Sequence, residues 1–209
     1  MPLPQRSAPL GHSLTRIVCW SQQLATELLA PGDTAVDLTA GKGRDTLALA
    51  EAVGHSGRIV AFDVQAEALS QSSLLLTEKG HVVYPWQVGR KVSEQPGVYL
   101  VQGCHSRLAE TLSEAPRTVM ANLGYLPGGN QQLTTRSDTT LSALSQALDI
   151  LASKGRLAVV LYPGHGGGAE EAETVTHLFR QLRSDFWQVL ELSVLNHSLA
   201  PRLLVAERR

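Results

Sequence analysis

Short apolar runs alternate with stretches of helical periodicity along almost the whole chain. Residues 13–29 put Leu14, Ile17, Val18, Leu24 and Leu28 on one helical face, with Ser13 as the expected N-cap and Pro31-Gly32 as the stop. Nearly continuous apolar runs at 34–40, 57–64, 97–103, 116–124 and 155–163 read as buried strands. Further helices are expected over 45–53, over 65–79, from a cap near Asp138 through Leu141, Leu144, Leu148 and Leu151, and over 169–184. The stretch 80–97, with Pro85, Trp86 and Pro96, reads as a long loop, and 125–137 as a polar, Gly-rich one. Residues 186–195 and 201–208 are expected to pair as an antiparallel hairpin. Five βα units and a closing hairpin describe an α/β fold with an open, doubly wound, mostly parallel sheet. Sheets of this kind place ligands at the carboxyl ends of their strands, near the topological switch point.

Composition narrows the picture. The 209 residues are 43% hydrophobic and 18% charged, which fits one globular domain over 13–209. A flexible, extended arm is expected at 1–12, where prolines stand at 2, 4 and 9. The net charge of −1, from 18 basic and 19 acidic residues, argues against general charge-driven nucleic-acid binding but leaves room for one local basic face. Aromatic residues at 5% exclude a stacking platform of many rings. Cys19 and Cys104 are too few for a disulfide framework or a four-cysteine zinc site, and histidines 12, 55, 81, 177 and 197 show no metal-ligand spacing, so no metal is expected. No apolar run reaches the roughly 18 residues of a membrane span and no signal core precedes the first helix, so the reading is cytoplasmic, away from membranes.

The candidate chemistry begins at VDLTAGKGRDTLAL, 36–49, where a strand enters a Gly-x-Gly turn and then a helix. Gly41 and Gly43 let the main chain approach a ligand closely, although a tight strand–helix turn asks for glycine with no ligand present. Asp63 ends the second strand 20 positions after Gly43, where a carboxylate can hold both ribose hydroxyls of a nucleoside. Nicotinamide dinucleotides and S-adenosylmethionine both use that arrangement. A dinucleotide asks for a third glycine where this chain has Thr46, and Asp45 would repel a pyrophosphate at the helix start. S-adenosylmethionine carries a sulfonium and an ammonium, which acids near the turn suit, so it is the favoured cofactor.

The fourth strand leads into Asn122-Leu-Gly-Tyr125. This spacing is similar to the Asn/Asp-x-x-Tyr/Phe found in amino-methyltransferases, with Leu-Gly in place of the usual prolines. An amide oxygen on Asn122 can accept the N–H bonds of an amine and aim its lone pair at a methyl carbon. Tyr125 can pack on a planar base. His105, after the third strand, is the nearest candidate base by topology, and hydrogen bonding to adenine or the main chain is its other reading. His165, in the YPGHGGG turn, could contact substrate or simply belong to a mobile turn. Glu170, Glu171 and Glu173 suit a helix start and call for no further role. Arg90-Lys91, Arg136 and Lys154/Arg156 are candidate phosphate contacts or solvated charges.

The segments TAGKGRDTL, FDVQ, NLGYLPGGN, SDTT, YPGHGGG and LNHSLAP together resemble the small bacterial methyltransferases labelled ribosomal-RNA methylases, from about Leu14 to Glu207. That family is associated with methylating 5-aminomethyl-2-thiouridine at the tRNA wobble position. The resemblance implies a Rossmann-like class I methyltransferase with a seven-stranded sheet. It implies S-adenosylmethionine held by Thr39, Gly41, Lys42, Gly43, Arg44 and Asp45, by Asp63, Val64 and Gln65, by Cys104 and His105 on the adenine side, and by Asn122. It also implies that Arg136, Asp138, Thr139 and Thr140 lie beside the acceptor with Tyr125 and His165, and that the protein forms a homodimer. Family members usually read Gly-Asn-Gly-His-Asp in the first turn and His-Glu after the third strand, so Lys42, Arg44 and Ser106 are departures. The expected activity is N-methylation of the wobble 5-aminomethyl group by one in-line displacement, with the tRNA anticodon stem-loop presenting a splayed base. Methylation of ribosomal RNA or a small amine, and a binding protein without turnover, stand beside it.

Overall fold

In the computed structural model, residues 16–124, 134–164 and 166–209 are described. Eight strands form one sheet: β1 (Thr34–Asp37), β2 (Arg58–Asp63), β3 (Val83–Gln87), β4 (Gly97–Gln102), β5 (Thr118–Asn122), β6 (Arg156–Leu161), β7 (Trp187–Leu192) and β8 (Arg202–Arg208). Their spatial order is β3-β4-β2-β1-β5-β6-β8-β7. All pairings from β3 to β6 are parallel, and β8 runs antiparallel to both β6 and β7. The six helices are α1 (Ile17–Thr26), α2 (Arg44–Val53), α3 (Ala66–Glu78), the short α4 (Leu108–Thr111), α5 (Ser137–Ile150) and α6 (Gly168–Arg180). A single 3₁₀ turn, His105–Arg107, precedes α4.

The alternation of side chains across a strand assigns the two faces of the sheet. Val36, Val60, Phe62, Tyr99, Val101 and Val119 join α5 and α6 in one buried cluster, while Ala35, Ile59, Ala61, Val98, Leu100 and Met120 join residues of α1, α2 and α3 in the other. β1, β2, β5 and β6 are buried almost from end to end, which is why they read as continuous apolar runs.

The hairpin and the parallel core agree with the sequence. The long loop expected over 80–97 does not, because it contains β3, and the sheet therefore has eight strands rather than seven. Pro85 is tolerated because β3 is an edge strand that pairs only with β4. Its alternate residues Tyr84 and Trp86 pack onto Tyr99, stacked at 4.9 Å and edge-on at 5.4 Å. The first helix also differs: α1 ends at Thr26, short of Pro31, and the proposed cap Ser13 lies outside the described residues. α5 starts at Ser137 after Arg136, with no side-chain cap, so Asp138 is its second residue rather than its cap. Arg156, offered above as a phosphate contact, is spent at the amino end of β6. It pairs with Glu27 and with Glu207 at 2.6 Å and donates to the Leu24 carbonyl at 2.9 Å, tying α1 to the sheet.

The chain leaves β1 toward β2 on one side and returns on the other at β5, so the crevice between β1 and β5 is the switch point. The turn above β1 is also a packing joint. Gly43 has φ +81°, and a Cβ there would lie 2.9 Å from the Cα of Ser72 on α3. The Ser72 hydroxyl in turn donates to the Gly41 carbonyl at 2.8 Å. The second glycine is thus required by α3, whatever binds above it. Gly43→Ala is expected to destabilise the fold by about 2–4 kcal/mol from left-handed backbone strain plus overpacking, read as a lower urea midpoint at unchanged slope.

Candidate functional site

Three aspartates gather around the 39–46 turn, two from the carboxyl ends of β1 and β2 and one from the first turn of α2. Asp37, the last residue of β1, is 1% exposed. It accepts the Thr39 N–H at 3.0 Å and the Thr46 hydroxyl at 2.6 Å, closing the turn onto the start of α2. Asp63, at the end of β2, accepts the Gly41 N–H at 2.9 Å through one oxygen and the Gln65 N–H at 2.9 Å through the other. Each of its oxygens keeps a lone pair for a further donor. Val64 beside it is 56% exposed, an apolar surface available to a flat ring. Asp45, in the first turn of α2, is buried and accepts Gln22 Nε2 of α1 at 2.6 Å and the side-chain amide of Asn122.

All three carboxyls are pushed above the ordinary carboxylate range, first by burial. Asp37 reaches about 7, with the charges of Asp45 and Asp63 adding to burial against the lowering hydrogen bonds of Thr46 and Thr39. Asp45 is raised by burial despite its bonds to Gln22 and Asn122 and the nearby charge of Arg44. Asp63 is raised by burial despite its backbone N–H donors. A crowded, desolvated set of acids favours a cationic occupant and disfavours an anionic one.

Asn122 stands at the switch point. Its N–H donates to the Thr39 hydroxyl at 2.7 Å, which locks the end of β5 to the turn after β1. Its side-chain NH2 faces Asp45, an acceptor, so the amide carbonyl must face the other way. That oxygen meets the Tyr162 hydroxyl at 3.4 Å. Burial and the charge of Asp45 push the Tyr162 hydroxyl up, keeping it a proton donor. Tyr162 follows β6, and sequence reasoning placed only its loop near the acceptor.

The structure places the remaining candidates as follows. His105 joins its Nδ1 to the Leu38 carbonyl at 3.0 Å, while its Nε2 is enclosed with no hydrogen-bond partner among the described residues. Burial lowers the affinity of this ring for a second proton. A base walled off from water has no direct route to release a proton, so this geometry suits the hydrogen-bonding reading of His105 better than the catalytic one. The Cys104 sulfur accepts the Ser106 hydroxyl at 3.1 Å. Lys42 and Arg44 are exposed on the turn. Arg136 and Asp138 form an exposed pair at 3.3 Å, and the Asp138 carboxylate also accepts the Thr139 N–H at 2.9 Å. Thr140 is a correction: it is 1% exposed and its hydroxyl is committed to Glu171 at 2.7 Å, so it cannot face an acceptor. Glu171, read above as a helix-start acid with no further role, is buried and holds both Thr140 and Thr135. Tyr125 and His165 lie outside the described residues. Among the described residues, no cluster of three or more His, Cys, Asp or Glu side chains could hold a metal ion, and no helix is long and apolar enough to cross a membrane.

The acid cluster has a consequence for stability. A carboxyl with a raised folded pKa binds its proton more tightly in the folded state. Its stabilising effect is therefore full below about pH 4 and is lost as pH rises through the folded value, about 7 for Asp37. Unfolding free energy is expected to fall between pH 4 and 7 from this source, by up to about 1.4 kcal/mol per pH unit for one proton, and melting temperature falls with it. Asp37→Asn should flatten that slope, and calorimetry of both proteins across the window checks it.

Comparison with known proteins identifies the family. Residues 59–208 match the family described as "Putative rRNA methylase". The chain is 39% identical over 199 residues to the chloroplastic tRNA (mnm(5)s(2)U34)-methyltransferase of Arabidopsis thaliana, covering 92% of this chain and 67% of that protein. It superposes on a "putative rRNA-methylase" from Clostridium thermocellum with a TM-score of 0.81 at 30% identity, over 92% of this chain and 97% of that one. It superposes on a "putative methyltransferase" from Streptococcus mutans, solved in complex with SAH, with a TM-score of 0.77 at 27% identity, over 93% and 98% of the two chains. The strand order, the turn geometry and these matches together make the chain a member of the rRNA methylase family of α/β methyltransferases.

Proposed function

We propose that this protein is an S-adenosylmethionine-dependent N-methyltransferase that converts the 5-aminomethyl group of a wobble 2-thiouridine in tRNA to methylaminomethyl. The observation that carries the reading is the Asn122 amide, turned by Asp45 so that its carbonyl faces away from the acid cluster at the switch point. The residues present fit the cofactor. Asp63 offers free lone pairs to ribose hydroxyls, Val64 offers an apolar surface to the adenine, and the desolvated acids Asp37, Asp45 and Asp63 suit a ligand bearing a sulfonium and an ammonium. The main chain of the Gly41–Asp45 turn makes the close approach, with the exposed Lys42 and Arg44 side chains left on its rim. The substrate assignment rests on the 39% identical plant enzyme, and a base in the single-stranded anticodon loop is accessible without opening a duplex.

When bound, S-adenosylmethionine supplies a methyl group on a positively charged sulfur, and S-adenosylhomocysteine is the leaving group. Asn122 Oδ1 accepts an N–H of the acceptor amine and directs its lone pair into the crevice. Tyr162 steadies that oxygen from the other side. A primary aliphatic amine has a pKa near 10, so it reaches the protein mostly protonated. Partial burial at the crevice favours its neutral form. Neither Cys19 nor Cys104 enters this scheme, and no covalent enzyme intermediate is involved.

The test is incubation with S-adenosylmethionine and tRNA bearing 5-aminomethyl-2-thiouridine, followed by digestion and nucleoside mass spectrometry. The expected result is one added methyl on that nucleoside alone. Methylation of a different nucleoside, or of free amines only, would overturn the substrate assignment. Asn122→Ala should leave cofactor Kd within about threefold while cutting transfer by about 100-fold or more, because it removes orientation rather than affinity. Asp63→Ala should act in the opposite order, weakening cofactor affinity by about 10–100-fold through the lost charge-assisted hydrogen bonds.

A further inference from the structure

We infer that Glu171 of α6 is a positioning residue for methyl transfer, acting through Thr135 and Gly124 on the end of β5 that carries Asn122. The inference rests on the methyltransferase reading of Asn122 and adds to it a residue on another element.

Glu171 is 4% exposed, and among the described residues no lysine or arginine pairs with it. Its Oε2 accepts the Thr135 hydroxyl at 2.7 Å and its Oε1 accepts the Thr140 hydroxyl at 2.7 Å. A carboxylate buried on hydroxyl donors alone, eased by its place in the first turn of α6, is an expensive way to join two helices. An apolar contact would do so at less cost.

The contacts show what the carboxylate fixes. The Thr135 hydroxyl that donates to Glu171 also accepts the Gly124 N–H at 2.9 Å, and the Thr135 N–H donates to the Gly124 carbonyl at 3.0 Å. Three consecutive N–H groups are thereby held from three directions: Asn122 by the Thr39 hydroxyl at 2.7 Å, Leu123 by the Val160 carbonyl at 2.9 Å, and Gly124 by the Thr135 hydroxyl. Two of these anchors belong to the sheet or the turn above it. The third is aimed by Glu171, since a hydroxyl that gives its proton to a carboxylate turns a lone pair toward Gly124. Thr140 extends the same hold to the first turn of α5, so one carboxylate sets α5, α6 and the exit of β5 together. α5 and α6 pack on the same face of the sheet.

The experiment compares wild type, Glu171→Ala and Glu171→Gln. Three readouts are taken: cofactor Kd by calorimetry, steady-state transfer to 5-aminomethyl-2-thiouridine tRNA, and amide exchange by mass spectrometry in a peptide spanning 119–124. Glu171→Ala is expected to bind cofactor within about threefold of wild type, to lose at least tenfold in kcat, and to exchange faster in that peptide. Glu171→Gln keeps both contacts by reversing one donor and is expected to recover most of the lost kcat. Wild-type kcat in Glu171→Ala, or unchanged exchange in the 119–124 peptide, would overturn the inference. So would equal loss of cofactor binding and turnover in both variants, which marks a fold-wide effect. If wild type transfers no methyl to this tRNA while Glu171→Ala still speeds exchange, the substrate reading fails and the anchoring role stands.

Discussion

Three carboxyl groups crowd the turn after β1, and the cost of burying them, to which Asp45 and Asp63 add repulsion at Asp37, is the constraint around which the site is organised. Asp37, Asp45 and Asp63 are stabilised mainly by hydrogen bonds from Thr39, Thr46, Gln22, Asn122, Gly41 and Gln65. Those donors come from α1, α2, β5 and the turns after β1 and β2, so the acids and the elements around them hold one another in place. Without a cation the arrangement remains electrostatically costly, and that unspent attraction is what a positively charged ligand can use. A turn evolved for pyrophosphate would need the opposite sign.

The sheet supplies the rigidity that such crowding demands. β1 and β2 are paired on both sides by parallel neighbours, and the Thr39–Asn122 hydrogen bond closes the crevice where the chain reverses its winding. Glycine enters this account through packing as much as through ligand approach, because Ser72 of α3 occupies the space a side chain at 43 would need.

The parts legible in the sequence were those written in short, contiguous code. Gly41, Gly43, Asp45 and Asp63 sit at strand tips and turns where local pattern and chemistry coincide. Asn122 stands out in the sequence because its spacing to Tyr125 is itself a motif. Asp37 was passed over because it lies within a buried run that periodicity reads simply as strand, although an acid inside such a run was a visible signal. β3 was hidden by Pro85, which breaks a central strand but not an edge. Glu171 and Tyr162 could not be recovered locally. Their partners lie 31 to 40 positions away in the chain and become neighbours only after α5, α6 and β6 pack. A run of glutamates at a helix start has an adequate local explanation, and that explanation concealed the one that turns inward.

The contact between Asp45 and Asn122 also constrains what can replace either side chain. Aspartate is the common substitute for asparagine where an acceptor oxygen alone is needed. Here a carboxyl at 122 would face the carboxyl at 45, and the pair would have to share a proton in place of the amide's N–H donor. Loss of the Asp45 carboxyl would also release Gln22 and with it a tie between α1 and the site. Asp45 and Asn122 therefore form one electrostatic pair, and a change at either position removes the contact that orients the amide.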